Sequence, residues 1–244
     1  MKNLQNRQLS LSERVRLLPL SILISIREIR MALQALPLAI NKDFLRTEVR
    51  RRILFSGRTP WRLSRDFYAG RAVSDIHCFG ETPLLTLARI QQRASIGADD
   101  EVLEVGAATG RNCFWLATVT GCRVVGLEHI PEFVNRANSI ASQTGNQQRI
   151  RFICGDMGKS LPGEPDIIYL YGSNLDDDLI TRFARRCCEK GTGVKVITVS
   201  YPLTDYLPGM YELVDHFPAA FTWGVTTVYV QKVIRGVKEP LIES

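Results

Sequence analysis

From Thr82 to Ser200 the chain alternates short apolar runs with helix-patterned stretches at crossover spacing. That alternation restricts the fold more than any other feature. Residues 101–106, 122–127, 150–154, 166–171 and 194–200 read as buried strands. Residues 83–94, 111–120, 131–143 and 176–190 read as helices. Thr82 stands as a natural N-cap before Pro83, Pro131 suits a first turn, and the aspartates at 176–178 suit a helix N-terminus. Strands joined by helices pair in parallel, with helices on both faces of the sheet. The tail departs from this pattern. Residues 211–217 and 226–233 are both strand-like, and no helix fits between them. An antiparallel pair at the sheet edge is the simplest arrangement. The expectation is an α/β domain with seven strands, mostly parallel.

The segment Val102-Leu-Glu-Val-Gly-Ala-Ala-Thr-Gly110 runs from a strand through a small-residue turn into a helix. Gly106 and Gly110 let a ligand approach the backbone at the carboxyl end of the strand, where open α/β sheets bind ligands. The spacing is G-x-x-x-G, without the middle glycine that admits a pyrophosphate in the dinucleotide fingerprint. Glu104 adds a carboxylate that favours a cationic amino-acid group over a phosphate. The loop thus suits a nucleoside without phosphates. Glu128, at the end of the second strand, is placed to accept hydrogen bonds from ribose hydroxyls. Asp156, after the third strand, is placed to take an exocyclic amine, beside Met157. Three acids thus end or adjoin three consecutive strands on one side of the sheet.

An apolar fraction of 45% excludes disorder as the main state. The six cysteines form no C-x-x-C pair, and three histidines accompany them. No metal site is expected, and the thiols read as reduced, in a cytoplasmic setting. The net charge of +6 is uneven: residues 1–75 carry 15 Lys and Arg against 6 Asp and Glu, and the remainder is mildly acidic. Residues 1–75 are therefore read as a basic, partly hydrophobic helical extension or cap, and residues 76–244 as the main domain. Residues 17–26 and 31–41 are uncharged, too short to span a bilayer, and interrupted by Pro19 and Pro37. They suit a cap over the domain. The alternative is an interfacial helix within residues 15–52, ending in Arg46, Arg50, Arg51 and Arg52 and peripheral at a membrane. Nucleic acid is the less favoured anionic partner.

Over residues 80–233 the chain resembles a class I S-adenosylmethionine-dependent methyltransferase, on V-L-E-V-G-A-A-T-G, Glu128, G-D-M at 155–157 and the closing antiparallel pair. The resemblance implies a Rossmann-like fold and S-adenosyl-L-methionine as cofactor. It assigns the glycine loop with Glu104 to the methionine part, Glu128 to the ribose and Asp156 with Met157 to the adenine. Phe79-Gly-Glu-Thr82 is similar to the aromatic-Gly-Glu-Thr segment of the non-SET histone lysine methyltransferases, the disruptor-of-telomeric-silencing class. That similarity implies that Gly80, Glu81 and Thr82 lie over the cofactor. The ATP synthase c-subunit lysine methyltransferase family shares this plan. The chain departs from the histone enzymes after the fourth strand, with Tyr169-Leu-Tyr-Gly-Ser-Asn174 in place of Asn-Asn-Phe. It carries neither an N-P-P-Y type motif nor a Pro-Cys nucleophile, which disfavours nucleobase acceptors. A protein lysine is the expected acceptor, with Tyr171 and Tyr201 as candidates for an aromatic channel and Ser173 and Asn174 for orientation. A small-molecule or lipid acceptor under an N-terminal lid is the alternative. A nucleoside-binding module without turnover is the least favoured reading.

Overall fold

The computed structural model describes residues 29–30, 33–69, 80–173 and 175–236. The expected run 17–26, Phe79 and Asn174 lie outside the described residues. The chain divides into two compact units, Met1–Pro37 and Leu38–Ser244. In the first, residues 29–30 and 33–37 are helical.

The second unit contains α1 (Lys42–Phe55), α2 (Pro60–Tyr68), α3 (Leu84–Arg93), β1 (Glu101–Val105), α4 (Arg111–Thr120), β2 (Arg123–Glu128) and α5 (Pro131–Gln143). It continues with β3 (Ile150–Cys154), β4 (Ile167–Leu170), α6 (Asp177–Glu189), β5 (Lys195–Val199), β6 (Tyr211–Phe221) and β7 (Gly224–Val233). The strands form one sheet in the order β3-β2-β1-β4-β5-β7-β6. The pairs among β1 to β5 are parallel, and β7 runs antiparallel to both β5 and β6. The strand order reverses between β1 and β4, so the crevice of the sheet opens beyond their carboxyl ends.

Strand alternation sorts the core between two faces. Leu103, Val105, Val125, Leu127, Ile168 and Leu170 pack with Ile180, Phe183 and Ala184 of α6. On the opposite face, Phe152 packs against Phe114 of α4 with ring centroids 5.6 Å apart. Asp176 caps α6 by accepting the Leu179 amide at 2.7 Å, as its position in the sequence suggests.

Thr82 does not cap α3. Pro83 occupies the cap position with no side-chain bond, and the Thr82 hydroxyl instead pairs with the Tyr169 hydroxyl at 2.5 Å. Both side chains are buried, so that partner is the one available without water.

The compact unit reaches back to Leu38 rather than beginning near residue 76. Helix α1 buries Phe44, Thr47, Glu48 and Phe55, and the Phe55 ring lies 5.9 Å from that of Phe133 on α5. One buried face among seven charged residues is what made this helix read as part of a basic extension or cap.

Candidate functional site

A cavity of about 1220 Å³ opens at the carboxyl ends of the parallel strands. Its floor is a set of backbone ties between strand ends. The Gly106 and Ala107 amides donate to the Leu127 carbonyl at 2.8 and 3.1 Å, and the Gly155 amide donates to the Glu128 carbonyl at 3.0 Å. The loops after β1, β2 and β3 are thereby held in one rim.

Glu128 is central to that rim. Its Oε2 accepts the Ala108 amide and its Oε1 accepts the Ile130 amide, both at 2.8 Å. Burial raises its pKa, and the amides of Ile130 and Ala108 oppose the rise. Each carboxylate oxygen retains a second lone pair, and the residue lines the cavity. Ala108 is held at φ +47°, a left-handed conformation unusual for a residue with a side chain. The strain is confined to the turn that aims this amide at Glu128.

Gly80, Gly106, Asp156, Met157 and Tyr171 also line the cavity. Asp156 Oδ1 accepts the Gly158 amide at 2.9 Å, which fixes the turn after β3. A Cβ on Gly80 would lie 3.0 Å from Tyr171 Cε1, so segment 80–82 passes close against the ring. The next residue, Glu81, accepts from the Thr109 hydroxyl of the glycine loop. Arg51 of α1 reaches the same carboxylate at 3.7 Å. Segment 80–82 therefore lies across the glycine loop.

Five of the expected site residues do not line the cavity. Glu104 lies one residue before the end of β1 and points to the α4 face, opposite Leu103 and Val105. Its carboxylate accepts from Asn112 Nδ2 at 2.8 Å and Cys113 Sγ at 2.9 Å. Glu81 and Thr82 face the glycine loop and Tyr169, as described above. Gly110, at φ +79°, opens α4 against the Phe152 ring, which leaves it a packing role rather than one of close ligand approach. Tyr201 is likewise not at the cavity surface. It packs on the core, and its hydroxyl donates to the Gly172 carbonyl at 2.8 Å.

Burial pushes Glu104 up to about 7, against the lowering by its bonds to Cys113 and Asn112, and nearby Glu81 adds to the rise. A carboxyl raised in the fold binds its proton more tightly than in the unfolded chain. Its stabilisation is complete below the ordinary carboxylate range and is lost as pH rises through 7. The loss is on the order of 3 kcal/mol. Thermal melts from pH 5 to pH 8 should show a falling Tm, and Glu104→Gln should flatten the dependence. An equally steep fall in that variant would remove Glu104 as its cause.

Several cavity residues carry no motif. Ser64 and Tyr68 come from α2, His129 follows Glu128, and Trp223 sits in the β6–β7 turn. The Tyr68 and His129 rings stack at 6.4 Å with 7° between planes. Trp223 Nε1 donates to the Tyr171 hydroxyl at 2.8 Å. Tyr171, Phe221 and Trp223 form a stacked series, with centroids 5.1 and 5.7 Å apart. The sequence signal for Trp223 was an aromatic beside a glycine in a short hairpin connection.

Residues 102–191 match the family model of the methyltransferase domain. No curated protein is similar enough in sequence to match. The fold is similar to that of TrmN from Thermus thermophilus, at 17% identity and a TM-score of 0.54, over 61% of this chain and 48% of that one. The chain thus spans about half the length of that relative. It is also similar to the mitomycin 7-O-methyltransferase MmcR, at 13% identity and 0.51, over 80% of this chain and 70% of that one. The [4+2]-cyclase SpnF is similar at 12% identity and 0.52, over 62% of this chain and 81% of that one. The matched stretch, residues 102–191, and the seven-stranded sheet with its closing antiparallel strands give the chain a Rossmann-like fold of the kind found in class I S-adenosylmethionine-dependent methyltransferases.

The cavity fits that cofactor. A Cβ on Gly106 would meet nothing within 4 Å, so the loop leaves open space. A buried acid sits at the second strand end, and the glycine loop presents no cation to a phosphate.

Proposed function

We propose that the chain methylates the side-chain amine of a protein lysine. The observation that carries this reading is the passage of segment 80–82 across the glycine loop, with Gly80 against Tyr171. This is the arrangement implied by the resemblance to the non-SET lysine enzymes. When bound, S-adenosylmethionine supplies a methyl group on a sulfonium, open to in-line displacement.

In this reading Gly106 and Gly80 flank the methionine part, Glu128 accepts from both ribose hydroxyls, and Asp156 with Met157 holds the adenine. Glu104 acts from behind the loop by fixing the start of α4 through Asn112 and Cys113. Tyr171, with Trp223 beside it, walls the acceptor entrance. Burial against these rings lowers the pKa of an entering amine, so it arrives with a free lone pair. Tyr201 is a positioning residue that fixes the Gly172 carbonyl next to Tyr171. A well-ordered entrance supplies orientation and excludes water, which are the main contributions a protein makes to such a displacement.

Labelled methyl transfer into a cell extract, resolved into protein, lipid and nucleic-acid fractions, tests the proposal. Label is expected on lysine in the protein fraction. Trp223→Ala should raise the acceptor KM by about tenfold, the loss of one aromatic contact, with cofactor affinity unchanged. Label confined to lipid or small molecules would overturn the lysine reading. That second reading draws support from Ser64 and Tyr68, which bring α2 to the cavity wall as a lid would. Cofactor binding without transfer to any fraction would leave a nucleoside-binding module.

A further inference from the structure

Helix α1 has two faces of different character. Inward lie Phe44, Thr47, Glu48, Arg51 and Phe55, packed or paired against the domain. Directly opposite, at four-residue spacing, stand Leu45, Val49 and Ile53, which are 52%, 50% and 57% exposed. At 100° per residue these three fall in one narrow band. Arg46 and Arg50 border the band on one side and Arg52 on the other, with Lys42 at its start. All four of these cations are exposed, and none has an ion-pair partner among the described residues. Asp43 is the acid on this outward half. On the next helix, Trp61 is exposed one turn before Ser64, which lines the cavity.

An apolar row of this length has no reason to face water when its own helix is already anchored by the other face. The inward contacts are substantial: Arg111 and Arg51 pair with Glu48 at 2.9 and 2.5 Å, and Arg136 Nη1 donates to the Leu54 carbonyl at 2.6 Å. The outward face is therefore held rigidly on display. A band of Leu, Val and Ile between rows of unpaired arginines matches the acyl boundary and the anionic headgroups of one leaflet. No helix among the described residues is long and apolar enough to cross a membrane, so contact is parallel to the surface. We propose that α1 docks this chain on an anionic bilayer surface, with Trp61 as an interfacial anchor beside the cavity rim. This goes beyond the methyl-transfer reading and does not depend on which acceptor is used.

Co-sedimentation of the full chain with vesicles tests the proposal. Vesicles of phosphatidylcholine with 30% phosphatidylglycerol, roughly the anionic fraction of a charged leaflet, are compared with pure phosphatidylcholine. Binding is expected to the anionic vesicles and to weaken with salt. Arg46→Gln with Arg50→Gln should reduce the partition coefficient roughly thirtyfold, at about 1 kcal/mol per charge. Leu45→Ser with Val49→Ser and Ile53→Ser should reduce it by at least about tenfold. Both variants keep the inward face, and an unchanged Tm and cofactor affinity confirm that they fold. Several outcomes overturn the proposal. One is equal binding to neutral vesicles. A second is wild-type binding that survives both sets of substitutions, which would place contact elsewhere, as in residues 1–28. A third is no vesicle binding at all, with either salt-sensitive binding to duplex DNA or a dimer that the serine variant dissociates.

Discussion

Glu128→Ala should weaken S-adenosylmethionine binding by about two to three orders of magnitude, measured by calorimetry on folded protein. The carboxylate is held in place before any ligand arrives, because the Ala108 and Ile130 amides each donate to one of its oxygens. Its remaining lone pairs are aimed without further ordering. Two hydroxyl donors to a charged acceptor contribute roughly 3–4 kcal/mol, which sets that magnitude. The same substitution leaves two buried amides without an acceptor, so a Tm lower by several degrees accompanies it. Glu128→Gln separates these effects. It keeps one good acceptor oxygen and should lose about tenfold in affinity, with less loss of stability. Unchanged affinity in the alanine variant, with folding verified, would move the ribose away from this rim.

Gly110→Val should be among the most damaging single changes to stability. The residue sits at φ +79°, where a side chain costs about 1–2 kcal/mol. A Cβ there would also approach Phe152 Cε1 at 2.7 Å and Phe114 Cε2 at 3.1 Å. Phe152 has little room to retreat, because its ring is also packed closely against Gly126. Overpacking of this kind costs about 1–3 kcal/mol, so the total lowers Tm by roughly 10 °C in a domain of this size. Gly106→Ala is the control. Its φ is +77°, but a Cβ there meets nothing within 4 Å, so it should lose the conformational part alone. Equal losses at the two positions would show that packing against Phe152 contributes little.

Most of the central sheet was legible because most of its strands are buried on both faces and because Pro131 and Asp176 mark the starts of two of its helices. Pro131–Gln143 and Ile150–Cys154 were read to the residue. The antiparallel strands were read short, since Pro218 in β6 and the exposed turn around Trp223 interrupt the apolar pattern. Glu128, Asp156 and Gly106 line the cavity as expected because a strand end and a tight turn fix where a residue points, and Gly80 lines it as well. Glu104 was placed at the site because its position in the motif was clear while its side of the strand was not. Two-residue alternation sends it toward α4, and only the positions of Leu103 and Val105 reveal which way. Ser64, Tyr68 and Trp223 have no local signature. They reach the cavity through long-range packing, which single-sequence periodicity does not encode.

The tie from Arg51 to Glu81 has a practical meaning for anyone wishing to trim this protein. The stretch that matches the methyltransferase domain, residues 102–191, is not a portable module. One wall of its cavity and the counter-charge for its strap come from helices that lie upstream of that stretch. A chain cut where the charge composition changes would keep every motif and lose the clasp that holds the strap shut. The smallest fragment that keeps this clasp and cavity wall therefore starts near residue 38, ahead of the basic helix rather than behind it.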